Sequence, residues 1–444
     1  MKLFTTLSLK FEKTNWANNP EFGLIDSLLE MHPELLSVVA GDIIQKEVSS
    51  GFGRGDVPSV EQIMRAAIFK EMKGYDYREL EDAQVDSRIC AAFLQLDTRS
   101  PFSFQLFQKY ISRIKASSLQ KLLMEIDKIA IANGLEDVQK LRQDTTTIES
   151  NIHYPTNNSL VWDCIKESHR LFEHLQKEVD TLSCRSYIKS AKKTYFKINN
   201  TKSEKRTDLF KYQLVNFTKT INQTSNMIKK KFENLKAEKI RQKLELLLPV
   251  MHRVYHMTHQ REILGQVVPN CEKIFSIYEQ HTDLIMKGAR EPVFGHKVNV
   301  VTGKSNLILD AEVLAGNPAD STLYKPTLDR VIENFGITPR DVVCDGGFAS
   351  KDNLAHANKK GIWNIVFNKI VGSMQNSTLT KHIETRLKKW RSGIEAVISN
   401  LKRGFHIARC NWKGWEHFQQ KVMWSVLGYN FRVMTALALA RLGL

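Results

Sequence analysis

Between residues 295 and 367 short apolar, β-branched runs alternate with helical stretches, and Gly or Pro marks most of the changes. Such runs can bury their side chains only by pairing in a sheet and being covered by the intervening helices, so the pattern restricts the chain to an α/β architecture. Residues 297–301 and 307–314 read as two strands, and Gly303-Lys304-Ser305-Asn306 between them reads as the turn of a hairpin. Gly316-Asn317-Pro318 ends the second strand, and Asp320 or Ser321 is expected to cap a helix reaching Phe335. Residues 342–345 form the next strand, stopped by Gly346-Gly347, and 362–367 the one after. Upstream, 138–148 with Thr145-Thr146-Thr147-Ile148 supplies an earlier strand, since β-branched residues suit a pleated surface. The expected core is a mixed sheet of about five strands with flanking helices.

The remainder reads as helical. Ser59 with Gln62 forms a capping-box signal for a helix over 59–73, with Ile63, Ala66, Ala67 and Met72 as its apolar stripe and Gly74 as its stop. Asp76 with Glu79 repeats the start signal, and a third helix runs from Ser103 through Phe107, Tyr110, Ile111 and Ile114. Short helices with tight turns, and Lys and Arg on exposed faces, are compatible with either a helix-turn-helix module or an ordinary bundle. The expected organisation is a helical amino-terminal domain at 1–125, an α/β domain at 126–164 and 286–444, and a basic helical insertion at 165–285.

Charge separates these parts. The chain of 444 residues carries 64 Lys and Arg against 48 Asp and Glu, a net of +16, which favours a polyanionic partner. Residues 185–243 hold 17 basic and 4 acidic residues, and 381–413 hold 9 and 2. In the first segment Tyr187, Tyr195, Phe196, Phe210, Tyr212 and Phe217 interleave with the cations; at helical spacing they suit a core, and base stacking is the alternative. The six cysteines show no Cys-x-x-Cys spacing, which argues against a zinc ribbon and a disulfide framework. Residues 1–13 are too broken by Lys and Glu for a signal-peptide core, and 422–444 is interrupted by Asn430, Arg432 and Arg441, so neither a leader nor a membrane span is expected. A reducing, cytoplasmic location follows as the expectation.

Three carboxylates stand out. Asp144 lies within strand-like sequence, where Asp is depleted; Asp345 ends a strand; Glu395 follows Arg391 by four residues and precedes Lys402 by seven, one face of a helix. Each has a local explanation: Asp144 could bond the following Thr backbone, Asp345 could serve the turn at Gly346, and Glu395 could pair with Arg391. Together they occupy strand one, the end of strand four and the last helix, the positions from which an RNase H-like sheet brings three carboxylates to one point.

At this point the sequence resembles the bacterial insertion-sequence transposases of the DDE type. The resemblance rests on Asp144 with Ile152-His153-Tyr154-Pro155-Thr156-Asn157, Gly295-His296-Lys297, Gly316-Asn317-Pro318-Ala319-Asp320-Ser321, Cys344-Asp345-Gly346-Gly347-Phe348, and Arg391-Ser392-Gly393-Ile394-Glu395 with Lys402-Arg403-Gly404-Phe405. Residues 59–96, including Tyr77-Arg78-Glu79-Leu80, resemble the family's helical amino-terminal domain, whereas 165–280 is least familiar. The family's last helix carries a Tyr three residues before its Arg; here Lys388 stands in that place.

The resemblance implies an RNase H-like catalytic core in which Asp144, Asp345 and Glu395 are catalytic and hold two Mg²⁺ ions, with Mn²⁺ as a substitute. It implies cleavage of transposon ends and transfer of the freed 3′-hydroxyl into target DNA, with no covalent protein intermediate. Arg391, Lys402, Lys388, Arg403, His296 and Lys297 become candidate DNA contacts, and Trp412 and Trp415 are read as core packing in preference to base stacking. The implied partners are double-stranded DNA, both terminal inverted repeats and target, and a second copy of the chain in a homodimer at the nucleoid, with no membrane. Two alternatives stay open: an RNase H-like endonuclease without strand joining, and a non-catalytic DNA-binding regulator.

Overall fold

The computed structural model describes residues 16, 19–44, 57–96, 101–202, 205–286, 291–370 and 374–443; residues 1–13, read above for a leader, lie outside them. Packing divides the chain into two compact units, residues 1–149 with 295–444, and residues 150–294.

The first unit opens with helices α1 (Pro20–Met31), α2 (Glu34–Ile43), α3 (Val60–Lys73), α4 (Tyr77–Asp86), α5 (Arg88–Phe93), α6 (Phe104–Ile111) and α7 (Ala116–Ala132). Both predicted capping boxes form. Ser59 accepts from the Gln62 backbone, Asp76 from that of Glu79, and Gly74 ends α3 in the left-handed region at φ 72°. One expectation is overturned: α3 is buried on every side from Val60 to Met72, so its cations are not on an exposed face. Arg65 is instead paired with Glu61 at 3.0 Å and Asp26 at 2.5 Å, and Lys70 with Glu71 at 2.9 Å. Buried charges persist only when paired, and a helix enclosed in this way cannot enter a DNA groove.

Strand β1 (Lys140–Ser150) follows, and the chain then enters the second unit. That unit consists of α8 (Asn157–Glu178), α9 (Ile188–Asn199), α10 (Thr207–Ile228) and α11 (Leu235–Thr258), with a short strand β2 (Asp283–Ile285). Its own core gathers Leu160, Phe172, Phe217, Leu244, Met251 and Val254. Of the interleaved aromatics, Phe210 and Phe217 are buried as helical spacing predicted, Tyr195 stacks on Trp162, and Phe196 and Tyr212 stand exposed. The helical insertion therefore packs as residues 150–294, wider at both ends than the expected 165–285.

Back in the first unit come β3 (Val293–Thr302), β4 (Ile308–Val313), α12 (Asp320–Phe335), β5 (Asp341–Asp345), α13 (Lys351–Lys359), β6 (Asn364–Asn368), α14 (Lys381–Arg391), α15 (Gly393–Gly404), β7 (Arg409–Cys410) and α16 (Trp415–Leu442). The five long strands are the five predicted, in the order β4-β3-β1-β5-β6, and the two-residue β7 pairs with β1. Strands β3 and β4 pair antiparallel as the expected hairpin, β3 pairs antiparallel with β1, and β1, β5 and β6 run parallel. Asp320 does not cap α12. Ala319 occupies the cap without a side-chain bond, and the Asp320 carboxylate accepts from Lys297 at 2.9 Å.

The boundary expected near residue 125 is not a packing boundary. Phe22, Phe69 and Phe93 of the amino-terminal helices belong to the same contiguous core as Val300 and Leu309 of the sheet and Trp424 of α16. Helix α16 joins them: Lys421 donates to Glu71 at 2.6 Å, and Asn430 donates to Asp127 and to the Ile308 carbonyl at 2.9 Å. This helix is long and apolar enough to cross a membrane by length and composition alone, yet most of that apolar stretch is buried inside the protein, as befits a core helix. All six cysteines are unpaired with one another.

Candidate active site

Strand register brings the first two carboxylates side by side. In the parallel β1–β5 pair Arg142 lies opposite Val343 and Gln143 opposite Cys344, and the next residues are Asp144 and Asp345. Side chains alternate along a strand, so Arg142, Asp144, Val343 and Asp345 share one face of the sheet. Helix α14 covers that face, where Leu387, with Ile383 and Trp390, packs on Val343 and Val366. At the end of β5 the chain must turn close to β6: a Cβ on Gly346 would lie 2.6 Å from the carbonyl oxygens of Asn368 and Lys369. Only glycine is accommodated there without displacing backbone.

The third carboxylate arrives by a break in what was expected to be one helix. Arg391 is the last residue of α14, Ser392 is the junction, and Glu395 lies in the first turn of α15. Arg142 is bonded at this break. Its guanidinium, fully enclosed, donates from Nε to Thr302 Oγ1 at 2.9 Å, from Nη1 to the Trp390 carbonyl at 2.9 Å, and from Nη2 to Asn306 Oδ1. It also lies 4.7 Å from the centre of the Trp390 ring. A Cβ at Gly393 would fall 2.2 Å from its Nη1, so any side chain at 393 would displace the Arg142 guanidinium from this position. Burial holds the Arg142 pKa below its ordinary value.

The result is convergence on one guanidinium. Arg391 Nη2 is 2.8 Å from Asp144 Oδ2 and 3.8 Å from Asp345 Oδ1, and its Nη1 is 3.4 Å from Glu395 Oε1. Asp144 also accepts from the Thr145 backbone at 2.8 Å, so the local role read for it from sequence is filled as well. The site opens outward: the side chains of Arg391 and Asp144 are 10% and 16% exposed, those of Asp345 and Glu395 43% and 65%. Beneath it, burial and then the charge of Asp144 push the Cys344 thiol pKa upward, leaving it an inert neutral group.

Among the described residues no group of three acidic, His or Cys side chains is already spaced to hold a metal ion. The spacing of these three is set by Arg391, which supplies the positive charge between them. The donors nonetheless suit a hard divalent cation, which takes carboxylate oxygens, and three carboxylates against one guanidinium leave excess negative charge.

The predicted basic residues divide. Lys388 sits on α14 and pairs with Glu384 at 2.6 Å, Lys402 lies in the last turn of α15, and exposed Arg403 donates to Ser399 on its own helix. His296 and Lys297 are both buried on β3. The His296 ring packs 4.5 Å from Trp415 and 4.9 Å from Phe418, centre to centre, while Lys297 Nζ bonds Asp320 and the Pro318 carbonyl at 2.7 Å. Trp415, and Trp412 against Tyr77, pack on the core as expected. One residue escaped the sequence reading and a second was read there only as a helix cap and part of a motif. Arg142 could have been noticed as a cation on the Asp144 face of a strand; Asp320 accepts from Thr145 Oγ1 at 3.2 Å and has its Oδ2 3.1 Å from where a Cβ on Gly347 would be.

Residues 271–431 match the family model of the transposase DDE domain. The chain carries a DDE-type transposase domain. No curated protein and no solved structure matches the chain. The match to the DDE domain takes in Asp345, Arg391, Glu395 and Lys402, whereas Asp144 precedes it and joins them only through the pairing of β1 with β5. The fold has the RNase H-like arrangement expected, a mixed sheet with Asp144 within β1, Asp345 at the end of β5 and Glu395 in the first turn of α15. A nuclease of the transposase type follows from the family.

Proposed function

We propose that the protein is a DNA transposase that cuts strands at transposon ends and joins the freed 3′-hydroxyl to target DNA, dependent on Mg²⁺ or Mn²⁺. The meeting of Asp144 with Asp345 and Glu395 of the DDE domain around Arg391 carries this reading. Those three residues would hold the metal, which when bound supplies activation of the attacking oxygen and stabilisation of the leaving one. The chain's own contributions are positional. Arg142 and Gly393 fix where α15 starts and so where Glu395 stands; Arg391, Lys402 and Arg403 would grip phosphates beside the scissile bond, Arg by its two-pronged geometry. Lys388 would exchange its ion pair with Glu384 for a phosphate. Water as nucleophile nicks, and the 3′-hydroxyl as nucleophile joins, at one site. A homodimer would pair two ends.

Duplexes ending in the element's terminal repeats, incubated with a circular target and Mg²⁺, should give joined product on a gel. Nicks alone would move the reading to an endonuclease, and neither product would return it to a DNA-binding regulator.

The second unit supplies a further DNA contact in this reading. Lys189, Lys192, Lys193 and Lys197 lie on one exposed face of α9 with Phe196, which is 52% exposed. A cationic face with an outward aromatic suits phosphate contact with stacking. Changing all four lysines to Gln should flatten the slope of log affinity against log salt by about 3 to 4. An unchanged slope would leave this face merely solvated.

A further inference from the structure

Arg391 is placed unlike a residue whose purpose is to reach DNA. Its guanidinium is 10% exposed, turned inward, and within 4 Å of all three site carboxylates, with the short contact, 2.8 Å, to the most enclosed of them, Asp144. Its Nε is buried and has no hydrogen-bond partner among the described residues, so the inward position leaves one donor unmet there. Two of the three carboxylates it touches, those of Asp345 and Glu395, are 43% and 65% exposed and so hold it only weakly through solvent. One guanidinium therefore does, from within the chain, what a cation from solution would do for the same oxygens, and it is held mainly from one side.

We propose that Arg391 is an internal counter-ion of this site: it gathers Asp144, Asp345 and Glu395 before metal arrives, competes with metal for their oxygens, and passes to a DNA phosphate when metal enters. This rests on the reading that the site takes a divalent ion. The chemistry is an exchange of partners. A metal that occupies the carboxylates frees the guanidinium, whose fork matches a phosphate as well as a carboxylate. Conversely, a phosphate that draws Arg391 away uncovers the carboxylates for metal. Such coupling is reciprocal, so DNA must tighten metal binding by the same factor by which metal tightens DNA binding.

The test is Mn²⁺ binding to the full chain at neutral pH, followed by the paramagnetic signal of the free ion, with and without a DNA duplex whose own Mn²⁺ uptake is subtracted. Arg391→Gln should bind Mn²⁺ about tenfold more tightly than the native chain in the absence of DNA. Adding duplex should tighten Mn²⁺ binding to the native chain several-fold and leave that of Arg391→Gln unchanged. Equal or weaker binding by the variant, or the same response to DNA in both proteins, overturns the proposal. Asp144→Asn is the reference for site-bound metal: if neither chain binds Mn²⁺ in a manner that Asp144→Asn removes, the metal-site reading fails and the counter-ion role with it. If circular dichroism shows Arg391→Gln unfolded, Arg391→Lys keeps the charge but cannot bridge three carboxylates, and should shift affinity in the same direction by less; no shift overturns the proposal.

Discussion

Glu395→Gln should lower the rate of strand cleavage by about 10³-fold or more while leaving DNA affinity within about twofold. The substitution keeps the side chain's size and removes only its charge. That charge is 65% exposed and meets Arg391 at 3.4 Å, a loose pair whose loss should change stability by well under about 1 kcal/mol. Whatever disappears is therefore attributable to the lost carboxylate charge and not to the fold. Nicking of an end-labelled duplex in Mg²⁺, read beside a gel shift of the same duplex, separates the two effects. Cleavage at the native rate would remove Glu395 from the site; parallel loss of binding would make it a DNA contact instead.

The second large effect is expected away from the acidic cluster. Arg142→Ala should cost about 2 kcal/mol or more, because it removes three hydrogen bonds, one of them to the buried Thr302 Oγ1 and the others to the half-buried Trp390 carbonyl and to Asn306 Oδ1. It also removes the packing of the guanidinium on the Trp390 ring. The junction of α14 and α15 is what this side chain holds, so cleavage should fall along with the midpoint of urea unfolding, while Arg142→Lys, without the planar fork, should restore little of either. A stability change below about 1 kcal/mol would mean that the junction is anchored by other contacts.

How much of this was readable beforehand differs from element to element. The strand at Asp341–Asp345 and its stop at Gly346 are local events, a short apolar run and a residue without a side chain, and both were expected. The boxes at Ser59 and Asp76 likewise involve groups three residues apart. The helix predicted through Arg391 and Glu395 was right in periodicity and wrong in continuity. At its interruption at Ser392 the Trp390 carbonyl accepts from Arg142, which lies 248 residues away in the chain.

The exposed cations expected on α3 failed for a related reason, and the enclosure of His296 and Lys297 was equally hidden from the sequence. A Lys or His in sequence carries no mark of what covers it. Enclosure of α3, the aromatic pair on His296 and the Asp320 carboxylate beside Lys297 are all supplied by distant segments. By itself the sequence determined the strands, their helical crossovers and the capping boxes at Ser59 and Asp76, since each depends on side chains within a turn or on a short local run. Only the tertiary structure decided that the acids meet, that they meet on Arg391, and that Arg142 and Gly393 hold them in place. Those outcomes depend on strand register and on contacts between residues more than a hundred positions apart, which no local pattern encodes.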